Sequence, residues 1–337
     1  MTIREVVLPA ERKQVEDFLE SVQLRYEQNI DQTLYIQEDE RIIGTVSAAG
    51  HIIKCLAVDS EFRNENIAVM LVSEMIKRLH QQGIYNYQVF TKPEYCAVFE
   101  NLGFRILVST PSFVSLEGGD GTIEKAIRKM HVQIQFNLGV DVTAGADIGC
   151  VVINGNPFTN GHLQLVQYVS ANHDFVLVFV VEEEGSYFTF KERYAMAYLA
   201  LKQYRNVLVL PSTKYMVSKD TFPSYFLKSV DDTTYNFAQY DALLFRNYFM
   251  PRLSIKCRYV GTEECDYMKI YNDVLKEVLS YRLKVVPRFE ENGEIISARK
   301  VRHLIAEEKY HEVLKYIPET NHAVFLAMVQ SKHDKPE

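Results

Sequence analysis

Apolar and polar positions follow two different patterns along this chain, changing near residue 145. In the first stretch, Val15, Phe18, Leu19 and Val22 recur at helical spacing, which predicts a helix over 9–22. Three strand-like runs follow, over 33–37, 41–48 and 51–58. Glu38-Asp39-Glu40 and Ala49-Gly50 lie between them as turns, so an antiparallel meander is expected. Ile67, Leu71, Met75 and Leu79 step by four, with Val72 and Ile76 beside them, and predict an amphipathic helix over 66–81. Further elements are a strand over 85–90, a short helix over 93–102 stopped by Gly103, and strands over 104–108 and 113–116.

Gly118-Gly-Asp-Gly121 breaks the pattern. Ile123, Ala126, Ile127 and Met130 then predict a connecting helix over 122–131, followed by a small, polar linker to 147. Beyond it, continuous apolar runs alternate with helical segments. Strands are expected at 150–153, 175–181, 207–210, 257–260 and 283–286. Helices are expected from 162, over 189–202, 235–249 and 267–279, and in a last long helix opened by Ser297. Runs without polar alternation belong to strands covered on both faces, so this half predicts a parallel sheet with helices on both sides. The expected division is 1–120, a joint over 121–145, and 146–337.

The chain has 337 residues, 47% hydrophobic and 24% charged, which fits two ordinary globular domains. A net charge of −7 gives no electrostatic case for nucleic-acid binding. No run approaches the roughly 18 apolar residues of a membrane span, and Met1-Thr-Ile-Arg-Glu lacks a signal-peptide core. A cytoplasmic protein without a membrane partner is the expectation. Five cysteines without C-x-x-C spacing read as reduced thiols, and no metal-ligand set is predicted.

The chemistry concentrates in Ile148-Gly-Cys-Val-Val-Ile-Asn-Gly-Asn-Pro-Phe-Thr-Asn-Gly-His162, a strand, a tight turn and a helix start. Backbone N–H groups and the positive helix end there suit a phosphate, and Gly161 permits close approach. Thr159 and His162 flank Gly161, and an imidazole so placed can donate to phosphate oxygens as charge develops. The competing reading is a plain turn with a helix-terminal His. Ser297, with basic residues at 299, 300 and 302, similarly reads either as an anion site or as an ordinary N-cap before a solvated basic face. Asp231, Asp232, Glu263 and Glu264 are candidates for Mg²⁺ or ribose contacts, against a reading as solvated carboxylates.

The order of elements in the first half resembles the GNAT acyltransferases, together with Leu56-Ala-Val-Asp-Ser-Glu-Phe-Arg63 and Phe99-Glu-Asn-Leu-Gly-Phe104. That family holds the coenzyme A pyrophosphate on an Arg/Gln-x-x-Gly-x-Gly/Ala loop. Here Arg63 and Ala68 match, and Asn66 replaces the glycine. In the second half, Thr159-Asn-Gly-His162 resembles the T/H-x-G-H motif of the nucleotidyltransferases, and Ile296-Ser-Ala-Arg-Lys-Val-Arg302 resembles their I-S-x-T-x-x-R motif, with Arg299 in place of Thr. With Thr189-Phe-Lys-Glu-Arg193, the stretch over 217–228 and Arg258-Tyr-Val-Gly-Thr-Glu-Glu264, the whole chain resembles the citrate lyase ligase family, which joins a GNAT-like α+β domain to a Rossmann-like nucleotidyltransferase domain. Asn160 also departs, since Leu is common there.

The resemblance implies an AMP-forming acid–thiol ligase using ATP and Mg²⁺. Acetate is activated as acetyl-adenylate and passed to the phosphoribosyl-dephospho-coenzyme A thiol on the citrate lyase acyl carrier subunit. It assigns His162, Thr159 and Arg302 to catalysis, and Asn154, Asn156, Phe158, Gly161, Gly261, Glu263, Ser297 and Arg299 to nucleotide contacts. Alternatives are a nucleotidyltransferase for a phosphate acceptor such as phosphopantetheine, and a GNAT-type acetyltransferase or acyl-binding protein. A further expectation is that the GNAT-like half holds the pantetheine-like arm of the prosthetic group.

Overall fold

The computed structural model describes residues 2–27, 29–62, 66–182, 186–216, 222–223, 225–226, 230–263, 265–291 and 294–333. Arg63, residues 183–185, most of the 217–228 stretch and Glu264 lie outside the described residues, as do the side chains of Asp231 and Asp232. Two compact units form, Met1–Thr122 with Pro223–Asn236, and Ile123–Phe222 with Phe237–Glu337. The first unit therefore includes a short excursion of chain from the second half.

In the first unit, β1 (Ile3–Glu5), β2 (Gln32–Glu38), β3 (Arg41–Ala49), β4 (Ile52–Val58), β5 (Asn86–Thr91), β6 (Arg105–Ser109) and β7 (Val114–Gly119) make one sheet in the order β1-β2-β3-β4-β5-β7-β6. Only β4 and β5 pair in parallel. The expected meander is β2–β4. β1 was not foreseen, because three residues are too few to show a period of two. Helix Ile67–Gln81 buries Ile67, Leu71, Val72, Met75 and Leu79 against the sheet. It sits directly on Gly44, where an added Cβ would lie 2.7 Å from Ile67 and 3.0 Å from Leu71, so any side chain at 44 would push the helix off. Asn66, standing where the acyltransferase pattern has glycine, takes φ +57°, a left-handed conformation that Asn adopts more readily than most residues.

β4 and β5 share only the rungs Ile52–Gln88 and Ile53–Val89, and β4 kinks at Cys55 (φ +53°). Beyond those rungs, Tyr225 enters from the excursion. Its hydroxyl donates to the Phe90 carbonyl at 2.5 Å, and its own carbonyl accepts from Arg25 N–H at 3.1 Å. Tyr225 and Phe226 are both buried, and burial drives the Tyr225 phenol well above its usual range. The chain thus supplies its own aromatic side chain beside the end of β5.

In the second unit, β8 (Ile148–Ile153), β9 (Phe175–Val180), β10 (Val207–Pro211), β11 (Ile255–Gly261) and β12 (Leu283–Val286) run parallel in the order β10-β9-β8-β11-β12. The expected Rossmann-like parallel sheet is present. Its strand order reverses beside β8, and ligands in such sheets bind at the carboxyl ends where that happens. Val151, Ile153, Val176 and Val178 face helices Asn160–Ser170 and Phe190–Leu201. On the opposite face, Phe179 meets Phe249 at 6.2 Å.

Several boundaries differ from expectation. The joint helix runs from Ile123 to Leu138 and buries Ile134 as well, so it belongs to the second unit's packing rather than serving as a linker. The helix opened by Ser297 ends at Ala306, and helices Tyr310–Leu314 and His322–His333 follow, adding Val313, Tyr316, Phe325 and Val329 to the core. No described helix is long and apolar enough to cross a membrane.

Candidate active site

The turn after β8 folds as its residues require. Gly155 takes φ +65°, and Thr159 closes the turn in an extended conformation as N-cap of helix Asn160–Ser170. The Thr159 backbone N–H donates to His162 Nδ1 at 3.0 Å, and its hydroxyl lies 2.9 Å from the same nitrogen. Nδ1 is therefore an acceptor, and the proton of the neutral ring sits on Nε2. Phe158 stacks on the other side of the imidazole, centroids 5.4 Å apart. Thr159 and Phe158 were expected to act on the ligand, but they are 1% and 0% exposed. What they hold is the histidine ring, because the apolar turn face folds into the core beneath it.

Burial pushes the His162 imidazole down to about 4, and the nearby Arg288 charge pushes the same way. The ring is thus a neutral Nε2–H donor at physiological pH. An NMR titration should find His162 unprotonated at pH 5.5, with an Nδ1 lone pair, while histidines of ordinary pKa have protonated. The sign for stability follows. Between about 4 and the ordinary 6.5, the unfolded chain binds the extra proton, so the stability held by the neutral ring is complete above 6.5 and is lost as pH falls through 4.

The second motif meets the first directly. Gly161 packs on Ile296, where an added Cβ would lie 3.4–3.5 Å away. Ser297 is the N-cap of helix Ala298–Ala306, its hydroxyl accepting from Lys300 N–H at 3.2 Å. Arg302 Nη1 donates to the Asn156 carbonyl, tying the second helix to the turn of the first. Two helix N-termini thus converge beside His162. Burial lowers the Arg302 pKa, and exposed Arg299, three residues away, lowers it further. Lys300 instead places its ammonium 5.1 Å over the Tyr316 ring.

Asn154 and Asn156 shape the turn through hydrogen bonds to neighbouring segments. Asn156 Oδ1 accepts from Phe188 N–H at 3.1 Å, and the Asn154 carbonyl and Oδ1 accept from Arg193 at 2.7 and 2.9 Å. Arg193 is 0% exposed and also donates to the Val181 and Phe188 carbonyls at 2.9 and 3.1 Å. It gathers the carboxyl ends of β8 and β9, a role that its place at the end of the Thr189-Phe-Lys-Glu-Arg193 motif did not reveal. Arg258 is likewise internal, bound to Asp241 at 2.7 Å and Tyr271 at 2.9 Å.

On the β11–β12 side, Glu263 is paired with Arg288. Arg288 Nε donates to the Thr262 carbonyl at 2.7 Å, its N–H donates to the Thr262 hydroxyl at 3.0 Å, and its stem passes 3.9 Å from where a Gly261 Cβ would be. Among the described residues, no group of three or more His, Cys, Asp or Glu side chains is placed to hold a metal ion.

The citrate lyase ligase C-terminal domain family matches residues 148–325, from the first residue of β8 through both motifs. The chain belongs to the citrate lyase ligase family. The GNAT acetyltransferase domain family matches residues 7–114, within the first unit. The [citrate [pro-3S]-lyase] ligase of Klebsiella pneumoniae is 29% identical over 334 residues, covering 96% of this chain and 94% of that protein. That of Escherichia coli K12 is 29% identical over 314 residues, covering 90% and 87%. The similarity thus spans both units.

Two departures from the pattern expected of a citrate lyase ligase have visible surroundings. Asn160 donates through its backbone to the Tyr316 carbonyl at 2.8 Å and through Nδ2 to the Lys315 carbonyl at 3.0 Å, anchoring the segment before the last helix. Arg299 is exposed on the same helix face as Arg302, so it adds charge to the site's rim without entering the core.

Proposed function

We propose that this ligase activates acetate with ATP and transfers the acetyl group to the phosphoribosyl-dephospho-coenzyme A thiol of the citrate lyase acyl carrier subunit. The observation that carries this reading is the meeting of the two motifs, Gly161 on Ile296 and Arg302 on the Asn156 carbonyl, around a neutral His162. An acetate oxygen attacks the α-phosphorus, the bond to the bridging oxygen breaks, and pyrophosphate leaves. The carrier thiolate then attacks the acetyl carbon, the bond to AMP breaks, and AMP departs with the electron pair. No protein nucleophile is required. The site must hold three phosphates in line and stabilise charge as it shifts to the leaving group.

The residues fit that task. His162 Nε2–H donates without carrying a charge that would have to be desolvated. Arg302 and Arg299 supply cations, and the two helix N-termini supply oriented N–H groups. Mg²⁺, arriving with the triphosphate, would neutralise its oxygens.

Pyrophosphate exchange into ATP, with Mg²⁺ and with or without acetate, tests the first step. Acetate-dependent exchange supports the reading. Exchange that requires a phosphopantetheine-type acceptor instead would replace it with nucleotidyl transfer to phosphate. Gly161→Ala gives a finer check. Its methyl meets only ordinary van der Waals distances within the protein, so the fold should be retained. A phosphate seated against that backbone would be displaced, raising the Kd for ATP about tenfold, measurable by calorimetry.

A further inference from the structure

We propose that Arg288 is an additional nucleotide-contacting residue of this site, held by Glu263 until a phosphate of the bound nucleoside triphosphate takes the carboxylate's place. The inference rests on the adenylation reading above and adds a cation that neither motif contains. Arg288 follows β12, the outer strand beside β11, on the carboxyl side of the sheet. A short chain of contacts places it at the motifs' meeting point. The Phe289 carbonyl, one residue on, accepts from Ile296 N–H at 3.3 Å, and Ile296 is the residue on which Gly161 packs. The Arg288 side chain is fixed at its base, through Nε to the Thr262 carbonyl and along Gly261, while its tip is paired with Glu263.

That arrangement suits exchange of one anion for another. Arg288 and Glu263 are both half-buried, at 25% and 21% side-chain exposure, so the guanidinium is already partly desolvated before a ligand arrives. A phosphate accepts from the same planar fork as a carboxylate and carries more charge. The fall in His162 basicity caused by Arg288 agrees with this placement.

The test uses the full chain and the Arg288→Met and Arg288→Lys variants, with thermal unfolding to establish that each is folded. For Arg288→Met, the expected result is an ATP Kd raised 10–100-fold and acetate-dependent exchange lowered about 10²-fold, with Arg288→Lys intermediate. The His162 imidazole should also titrate at higher pH in Arg288→Met, which reports that the charge beside the ring has been removed, while the ATP Kd reports its contact with the nucleotide. A folded Arg288→Met variant with wild-type ATP affinity and exchange would overturn the inference and leave the adenylation reading standing. ATP binding without exchange in the wild type would sink the reaction, yet the difference in Kd would still decide Arg288. Failure of the wild type to bind ATP would overturn both. If Arg288→Met does not fold, Arg288→Lys carries the decision on the same measurements, and an unchanged Kd there, with unchanged exchange, counts against the inference.

Discussion

His162→Ala should lower acetate-dependent pyrophosphate exchange by about 10²–10³-fold, equivalent to roughly 3–4 kcal/mol of lost transition-state stabilisation. The magnitude follows from the kind of group removed. Nδ1 is occupied by Thr159, so the ring has one proton to offer, on Nε2, and it offers it from a rigid position between Thr159 and Phe158. A donor that needs no reorganisation in a partly water-excluded site contributes far more than the same contact in water. The variant should unfold near the wild-type midpoint. It loses one partner of Thr159 N–H, at about 1 kcal/mol, and sheds the buried imidazole that opposes folding below pH 6.5. Retained exchange in a folded His162→Ala protein would show that the imidazole does not act on the nucleotide. His162→Gln, able to donate from a similar position, should recover part of the rate.

The second large effect is on stability. Arg193→Met, similar in volume but without donors, should cost about 3–5 kcal/mol in urea unfolding of the second unit. The wild-type guanidinium is wholly buried and serves the carbonyls of Asn154, Val181 and Phe188 at once. Methionine fills the space and leaves three carbonyl acceptors without that donor. Activity should fall more than the folded fraction does, because Asn154 and Asn156 shape the turn that aims His162, and a misplacement of about 1 Å can cost 10²-fold. An Arg193→Met protein with an unchanged urea midpoint would mean that these carbonyls find other donors at no cost.

Local pattern is sufficient where a segment is long enough to repeat it. Helix Ile67–Gln81, β2–β4 and β8–β9 were legible because long amphipathic or continuously apolar segments state their own periodicity. The helix start expected at 189 is equally local, since Glu192 Oε2 accepts from Thr189 N–H at 2.8 Å across only three residues. Strand β1 and helix Tyr310–Leu314 are too short to carry a period, and they form because partners elsewhere in the chain complete them.

The site divides in the same way. Thr159, Gly161, His162 and Ser297 announce themselves as helix-start residues, because N-caps and phosphate-binding turns are local structures with local residue requirements, and Arg302 follows one turn on. Their roles were less legible. Thr159 and Phe158 hold the imidazole, and Glu263 holds Arg288, since which face of a turn enters the core is set by what packs against it. Arg193 ended a quoted motif without an assigned role, and Arg288 had no signal of its own. An arginine in a sequence looks like a solvated charge until the sheet brings carbonyls from 154 and 181, or a carboxylate from 263, within reach. The same holds for Tyr225, whose hydroxyl is buried against Phe90, 135 positions away. The sequence by itself determined the two-part plan, the parallel sheet and the two motif ends. Only the tertiary structure decided that Gly161 rests on Ile296, that His162 is a neutral Nε2–H donor, and which cations stand around it. Those features depend on burial and on partners far apart in the chain, and neither is encoded within any one segment.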